Sequence, residues 1–315
     1  MLKKKLAFVI VSLVFACAAV AQQRPFTSTY QYNLLLLNPA YAGSLDVLSV
    51  IGVHRTQWVN LPGAPKYSAL SAHNSFAGNR IGTGFFLTQD NIGVHEDLAF
   101  YSSYAYKIPM KFGILAMGIS GGFNSRMSDF TQIDLLDGND PVFNGTNGGV
   151  RRRFSPNFGT GVYFANPNFY LGVSIPYILE NKTIDDLEFA INGEESRETR
   201  YYYVTSGVIF PISSSIKLAP AFVIRAQEES RPAWDISTNL IFDEIAYIGL
   251  NVRNSGEVAI MGQMILNENF RVGYAYDFIT DRDRARVSPG SHEVLLNYRI
   301  KLKNTRKNPQ CPVYF

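Results

Sequence analysis

The sequence predicts an all-β fold: an outer-membrane transmembrane barrel of about fourteen antiparallel strands behind a short N-terminal helical or turn segment. Three observations carry this. An export signal opens the chain. No later stretch approaches the ~18 apolar residues that a spanning helix needs. Segments of roughly ten residues then recur, each with one apolar and one polar face.

The signal reads as Lys3, Lys4 and Lys5, the apolar run Leu6 to Ala18, and the small residues Ala19-Val20-Ala21, with cleavage before Gln22. The run is too short for a spanning anchor. Cys17 follows Val14-Phe15-Ala16, but apolar residues continue through Ala21, which argues against a lipoprotein signal. Cleavage removes three of 29 basic residues and none of 26 acidic ones, leaving 26 against 26. That neutral balance carries no nucleic-acid footprint. Only Cys311 of the two cysteines remains, so the mature chain has no internal disulfide.

After the signal, Tyr30 to Asn38 suits a short helix that Pro39 ends and Gly43 turns onward. The next fourteen segments lie near 45–58, 66–77, 79–89, 94–107, 110–125, 156–165, 168–179, 199–210, 215–227, 232–242, 244–253, 256–266, 269–279 and 291–302. In 234–242 one face carries Trp234, Ile236, Leu240 and Phe242, the other Asp235, Ser237 and Asn239. In 270–277, Phe270, Val272, Tyr274 and Tyr276 oppose Arg271, Gly273, Ala275 and Asp277. Valine, leucine and aromatics against charge or glycine is the barrel pattern, and an even count suits a bacterial single-chain barrel. The resulting division is a signal (1–21), an N-terminal periplasmic segment (22–44), the barrel (45–302) and a periplasmic tail (303–315).

Tight turns are predicted at Gln89 to Val94, Ile108 to Lys111 and Phe210 to Ser215. Two connections, 126–156 and 180–200, are long enough to serve as partner surfaces. Long loops outside and short turns inside put both chain ends in the periplasm.

The chemistry-bearing residues do not assemble into a catalytic set. His54, His73, His95 and His292 are scattered, with no pair at metal-ligand spacing. Ser291 and His292 are neighbours in a strand and point to opposite faces, so they cannot form a nucleophile–base pair. Gly82-Thr-Gly84 and Gly159-Thr-Gly161 lie in strand patterns with no helix after them, which makes them small positions on a curved sheet and not phosphate cradles. Asp129, Asp134, Asp137 and Asp140 concentrate hard oxygen ligands without EF-hand spacing, and Arg151-Arg152-Arg153 closes the same loop and balances them. The expectation is no enzyme activity, no cofactor and no metal.

Three motifs, in order, resemble one family. They are Asn38-Pro39-Ala40-Tyr41-Ala42-Gly43; then Arg55-Thr-Gln57-Trp58 followed by Gly63-Ala64-Pro65; then Gly290-Ser291-His292-Glu293-Val294 with Tyr298 and the terminal Cys311-Pro312. Together they resemble the PorP/SprF family of outer-membrane proteins of type IX secretion and gliding motility. The resemblance implies a barrel in contact with outer-membrane lipid and type IX secretion components. It also implies export or surface retention of a large secreted surface protein (adhesin), and a periplasmic peptidoglycan-associated partner. From the residues alone, Pro39 and Gly43 fix a turn, Trp58 suits an interfacial aromatic girdle, and Gly63 to Pro65 restrict a loop. A diffusion channel or small-ligand transporter is the alternative reading.

Overall fold

The computed structural model describes residues 26–132, 149–182, 198–228, 230–280, 286 and 288–301. The strands are β1 (Leu48–Thr56), β2 (Lys66–Phe76), β3 (Ile81–Ile92), β4 (His95–Met110) and β5 (Gly113–Asp129). Then follow β6 (Val150–Ala165), β7 (Phe169–Ile175), β8 (Tyr201–Val208), β9 (Phe210–Pro211) and β10 (Ile216–Gln227). The last five are β11 (Ala233–Phe242), β12 (Ala246–Arg253), β13 (Glu257–Ile265), β14 (Phe270–Ile279) and β15 (Ser291–Ile300). β8 and β9 are one strand interrupted at Ile209, because Ala221↔Gly207 and Leu218↔Phe210 share one register against β10. There are thus fourteen strands.

Each strand pairs antiparallel with its sequence neighbours, and β1 pairs with β15 from Leu48↔Ile300 to Thr56↔His292, closing the sheet into an up-and-down barrel. Closure leaves no edge strand among the fourteen, although Val150–Gly159 of β6 extends beyond its pairing with β7. None of the described helices is long and apolar enough to cross a membrane.

The predicted faces are the observed ones. Trp234, Ile236 and Leu240 are exposed on the outer surface, whereas Asp235, Ser237 and Asn239 are buried inside. Leu87, Phe100, Val173, Ile248, Leu250 and Leu296 extend the outer apolar band that meets lipid.

Because the strands alternate in direction, the junctions separate into two mouths. The start of β1, the end of β15 and the turns 77–80, 111–112, 166–168, 212–215, 243–245 and 266–269 lie at one end, the turn mouth. The strand ends that flank 57–65, 130–149, 176–200, 228–232 and 280–290 lie at the other, the loop mouth, as do the short turns 93–94 and 254–256.

The start of β6 differs from the sequence reading. β6 begins at Val150, so Arg151, Arg152 and Arg153 belong to the strand, opposite Ser128, Met127 and Arg126 of β5, and do not close a loop. Pro156, which discourages a strand interior, lies inside β6 opposite Phe123.

The larger difference concerns the N-terminal segment. The sequence sets 22–44 apart as a periplasmic piece with a short helix. Instead residues 26–44 pack inside the ring as a strap containing three single turns of 3₁₀ helix, Tyr30–Tyr32, Leu34–Leu36 and Pro39–Tyr41. Pro39 begins the third turn and does not end a helix: it occupies the first turn, and Asn38 Oδ1 caps it by accepting from the Ala40 amide at 2.9 Å. The physical cause is solvation. Tyr30, Leu34, Leu35 and Tyr41 carry too much apolar surface to sit in water, and the lumen buries all four.

The strap has a direction. Ser28 meets Asp277 and Glu293, near the loop-mouth ends of β14 and β15. Tyr30 reaches Ser237, and Asn33 reaches Ser71, at middle depth. Asn38 and Gly43 reach Val162 and His73, near the turn mouth, where β1 starts. The chain therefore threads its own barrel from the loop mouth down to the turn mouth.

Candidate functional site: a lumen closed by its own chain

The strap is held at three levels, each built by inward-facing residues of particular strands. At the loop mouth a network of buried charges surrounds its first residues. Arg55 on β1 pairs with Glu293 on β15 at 3.1 Å and with Asp277 on β14 at 2.5 Å. Arg253 on β12 pairs with Asp235 (2.6 Å), Glu257 (2.8 Å) and Asp277 (3.3 Å), and Arg225 on β10 pairs with Asp235 at 3.1 Å. Arg55, Asp277 and Glu293 are each no more than 2% exposed. Charges so buried are tolerated only when paired and hydrogen-bonded, and every ion pair of this network joins strand to strand.

The strap adds neutral groups to this network. The Ser28 amide donates to Glu293 Oε2 (2.8 Å) and the Thr29 amide to Oε1 (3.0 Å). The Thr29 hydroxyl donates to the same carboxylate, and the Ser28 hydroxyl to Asp277 at 2.5 Å. Arg253 donates to Ser28 Oγ at 2.7 Å. The Phe26 ring lies under the Arg225 guanidinium, 4.0 Å from ring centre to charge, a cation–π contact.

At middle depth, Tyr32 donates to Asn239 at 3.1 Å and stands edge-on to Tyr247. Ser71 donates to Asn33 at 3.0 Å, and Ser174 to the Leu37 carbonyl at 2.7 Å.

At the turn mouth the strap rests on glycines. A Cβ on Gly82 would collide with the Ala42 carbonyl, one on Gly118 with the Ala40 backbone, and one on Gly161 with the Asn38 side chain. Only a residue without a side chain lets the strap backbone approach the wall this closely. Asn38 Nδ2 donates to the Val162 carbonyl at 3.0 Å, and the Tyr41 ring stands edge-on to His73 and Tyr163. Gly43, at φ +65°, turns the chain out, its amide donating to His73 Nδ1 (3.2 Å) and its carbonyl accepting from Lys107.

The motif residues therefore fall into two groups, one at each end of the strap. Asn38, Pro39, Ala40, Tyr41 and Gly43 form the lower seat. Arg55, Gln57, Trp58, Gly63, Pro65, Ser291 and Glu293 gather where β1 meets β15 at the loop mouth. There the Gln57 amide donates to the Pro65 carbonyl (2.9 Å), the Trp58 amide to Ser291 Oγ (3.2 Å), and the Gly93 amide to the Gly63 carbonyl (2.9 Å). His292 stands apart, exposed on the outer face with Tyr274 at 2.7 Å, while Ser291 points inward. The two are not a catalytic pair.

Sequence reading missed Ser28, Thr29, Asp235, Arg253 and Asp277 as members of one site. It read Gly82 and Gly161 as curvature, whereas they seat the strap. The available signal was a charge on the polar phase of an alternating strand near a loop. Among the described residues no three His, Cys, Asp or Glu side chains are placed to hold a metal. Asp129 accepts from the Thr131 amide at 3.1 Å, while Asp134, Asp137, Asp140 and Cys311-Pro312 lie outside the described residues.

The family model described as "Type IX secretion system membrane protein PorP/SprF" matches residues 19–298. The chain belongs to the PorP/SprF family. No curated protein matches it. Among solved structures its fold is similar to the CymD monoaromatic hydrocarbon channel, with TM-score 0.52 and 13% identity over 86% of this chain and 93% of that one. The Ralstonia pickettii toluene transporter TbuX gives 0.48 at 10% identity over 84% and 92%, and the Acinetobacter baumannii outer membrane protein Omp33 gives 0.46 at 10% over 81% and 98%. These likenesses concern the fold. This PorP/SprF protein is an outer-membrane β-barrel of the type IX secretion system.

Proposed function

We propose that the barrel is an accessory and anchoring component of type IX secretion, without enzymatic activity, that supports export or surface retention of large cell-surface proteins such as adhesins. One observation carries this over the channel reading: residues 26–44 fill the lumen that a diffusion channel would leave open. A barrel filled by its own chain offers surfaces, at its mouths and on its wall, rather than a passage. The connection expected at 126–156, shortened to the residues between Asp129 and Val150, and the one at 180–200 join strand ends at the loop mouth, which we orient to the exterior. The tail 303–315 then lies with the short turns in the periplasm, where a peptidoglycan-associated partner would meet it. No nucleic-acid partner is part of this reading.

Deleting the gene tests it. The expected result is unchanged uptake of small solutes with loss of a specific large protein from the cell exterior. Reduced solute uptake with surface proteins retained would favour a diffusion channel or small-ligand transporter and overturn the proposal.

A further inference from the structure

We propose that a step in the barrel wall at β6 is a strand-pairing edge, and that it takes up an extended segment of an exported partner in which an acidic residue stands between two apolar ones. This names the surface that the anchoring role leaves open. It rests on that role only for the partner's being exported, and the edge itself is tested without it.

The first argument is the main chain. β6 keeps its partner β5 as far as Asp129↔Val150, but its pairing with β7 stops at Thr160↔Ile175. Above that point the chain leaving β7 crosses β6 without forming a ladder. The Ile178 amide donates to the Phe158 carbonyl at 2.8 Å, and Asn181 Nδ2 to the Pro156 carbonyl at 3.1 Å. These bonds fix the direction of the backbone. Main-chain groups of successive strand residues point to alternate sides, so Val150, Arg152 and Phe154, in phase with Pro156 and Phe158, turn theirs away from β5. Among the described residues nothing bonds the groups of these three on that side. From Val150 to Ser155 the strand therefore presents an edge, about 20 Å long at roughly 3.3 Å per residue. Pro156, without an amide hydrogen, ends it. Such an edge is a template on which an extended segment adds as a further strand.

The second argument is the side chains. On the outer face of the edge stand Val150 and Phe154, 59% and 62% exposed, with Arg152 exposed between them. Arg152 donates to Met127 Sδ at 3.5 Å, and among the described residues no carboxylate pairs with it. An added strand, antiparallel as β5 and β7 are, sets its own outward residues directly beside these three. Opposite charges there stabilise the pair and like charges oppose it. Apolar, acidic, apolar at alternate positions is thus the pattern that fits. The same rule excludes a second copy of this chain, since β6 laid antiparallel on β6 brings arginines 151–153 of one chain beside those of the other. A charge or a proline alone would keep strands off an edge. Flanked by two exposed apolar side chains, Arg152 makes this edge selective rather than sealed.

Peptide titration of the purified full-length protein in detergent, with folding checked by heat-modifiable migration, tests the proposal. The probe is a labelled, end-blocked Thr-Val-Thr-Glu-Thr-Phe-Thr, and binding is read by fluorescence anisotropy. Binding is expected, weakened about fivefold when lysine replaces the glutamate. It should be lost when the valine, glutamate and phenylalanine are N-methylated, because their amides face the edge. Arg152→Glu should reverse the preference, taking the lysine peptide over the glutamate one. Phe154→Pro removes an edge donor without touching the β5 ladder, and should weaken binding about tenfold. If that variant does not fold, the reversal by Arg152→Glu decides. The proposal fails if neither peptide binds at about 1 mM, if the N-methylated peptide binds equally, or if Arg152→Glu keeps the parent's preference. It fails too if Phe154→Pro folds and binds as the parent does. None of these readings depends on the gene deletion, so the edge and the secretion role can fail separately.

Discussion

Arg55 and Glu293 face each other across the closing pair of strands, first against last, and their ion pair at 3.1 Å sits directly under the strap residues Ser28 and Thr29. One contact thus joins the barrel seam, two of the three sequence motifs and the loop-mouth end of the strap.

Arg55→Ala is expected to cost about 3–5 kcal/mol, because it leaves Glu293 buried without its ion-pair partner. Asp277 keeps Arg253 at 3.3 Å, which limits the damage on that side. Replacing Arg55 and Glu293 together by leucine should recover only part of the loss, since the Ser28 and Thr29 amides then lack their acceptor. The temperature at which the band shifts on an unboiled gel reads all three proteins. A double variant as stable as the parent would show that the carboxylate does not hold the strap.

Asn38→Ala removes both the cap on the Ala40 amide and the bond to the Val162 carbonyl. A loss of about 1–2 kcal/mol follows from the cap alone. Proteolysis of the strap should accelerate more than unfolding of the barrel, because the strands keep every ladder bond. Equal acceleration of both would refute the assignment of Asn38 to the strap's seat.

On the outer wall, Leu250→Arg should destabilise the folded barrel by roughly 2–4 kcal/mol in a bilayer, the cost of a cation at midplane depth. In detergent micelles the penalty should shrink, since the charge finds water nearby. Leu250 is exposed and its neighbour Asn251 is buried, so a similar penalty in both media would mean that lipid does not cover this face.

Topology is read by tags on intact cells. A tag in the loop at Asn144 should be labelled from outside, and one after Phe315 should not. A tag placed just ahead of Phe26 is expected to be labelled with the loop tag, because Ser28 lies beside the loop-mouth ends of β14 and β15. Protection of that third tag, with the loop tag labelled, would mean that the chain does not thread the barrel in this direction.

The wall was legible in the sequence because period-2 alternation is a local signal: 232–242 and 291–302 were placed within a residue or two of β11 and β15. The start of β6 was not, because three consecutive arginines hide alternation and Pro156 reads as a break. The strap escaped for a different reason. Leu34 to Leu37 has no polar face, so its environment depends on where the wall closes, and closure is a non-local fact. The same holds for the site: Arg55 and Glu293 stand 238 residues apart, and only the β1–β15 register makes them partners. The motifs marked the right residues without revealing that two of them touch.

The threading also bears on how the molecule is made. A segment whose Ser28–Thr29 end sits at the far mouth, while its other end continues into β1 at the near one, either is laid along the growing sheet or must be fed through a finished ring. Laying it down first requires no passage, and the glycine-lined strands then curl around it as around a mandrel. The groups that grip its tip, Asp277 and Glu293, lie on the last two strands to emerge. A chain cut short before β14 loses both carboxylates that accept from Ser28 and Thr29 and keeps only the Arg55 and Arg253 bonds to Ser28, so full docking of these two residues depends on the last strands having been made.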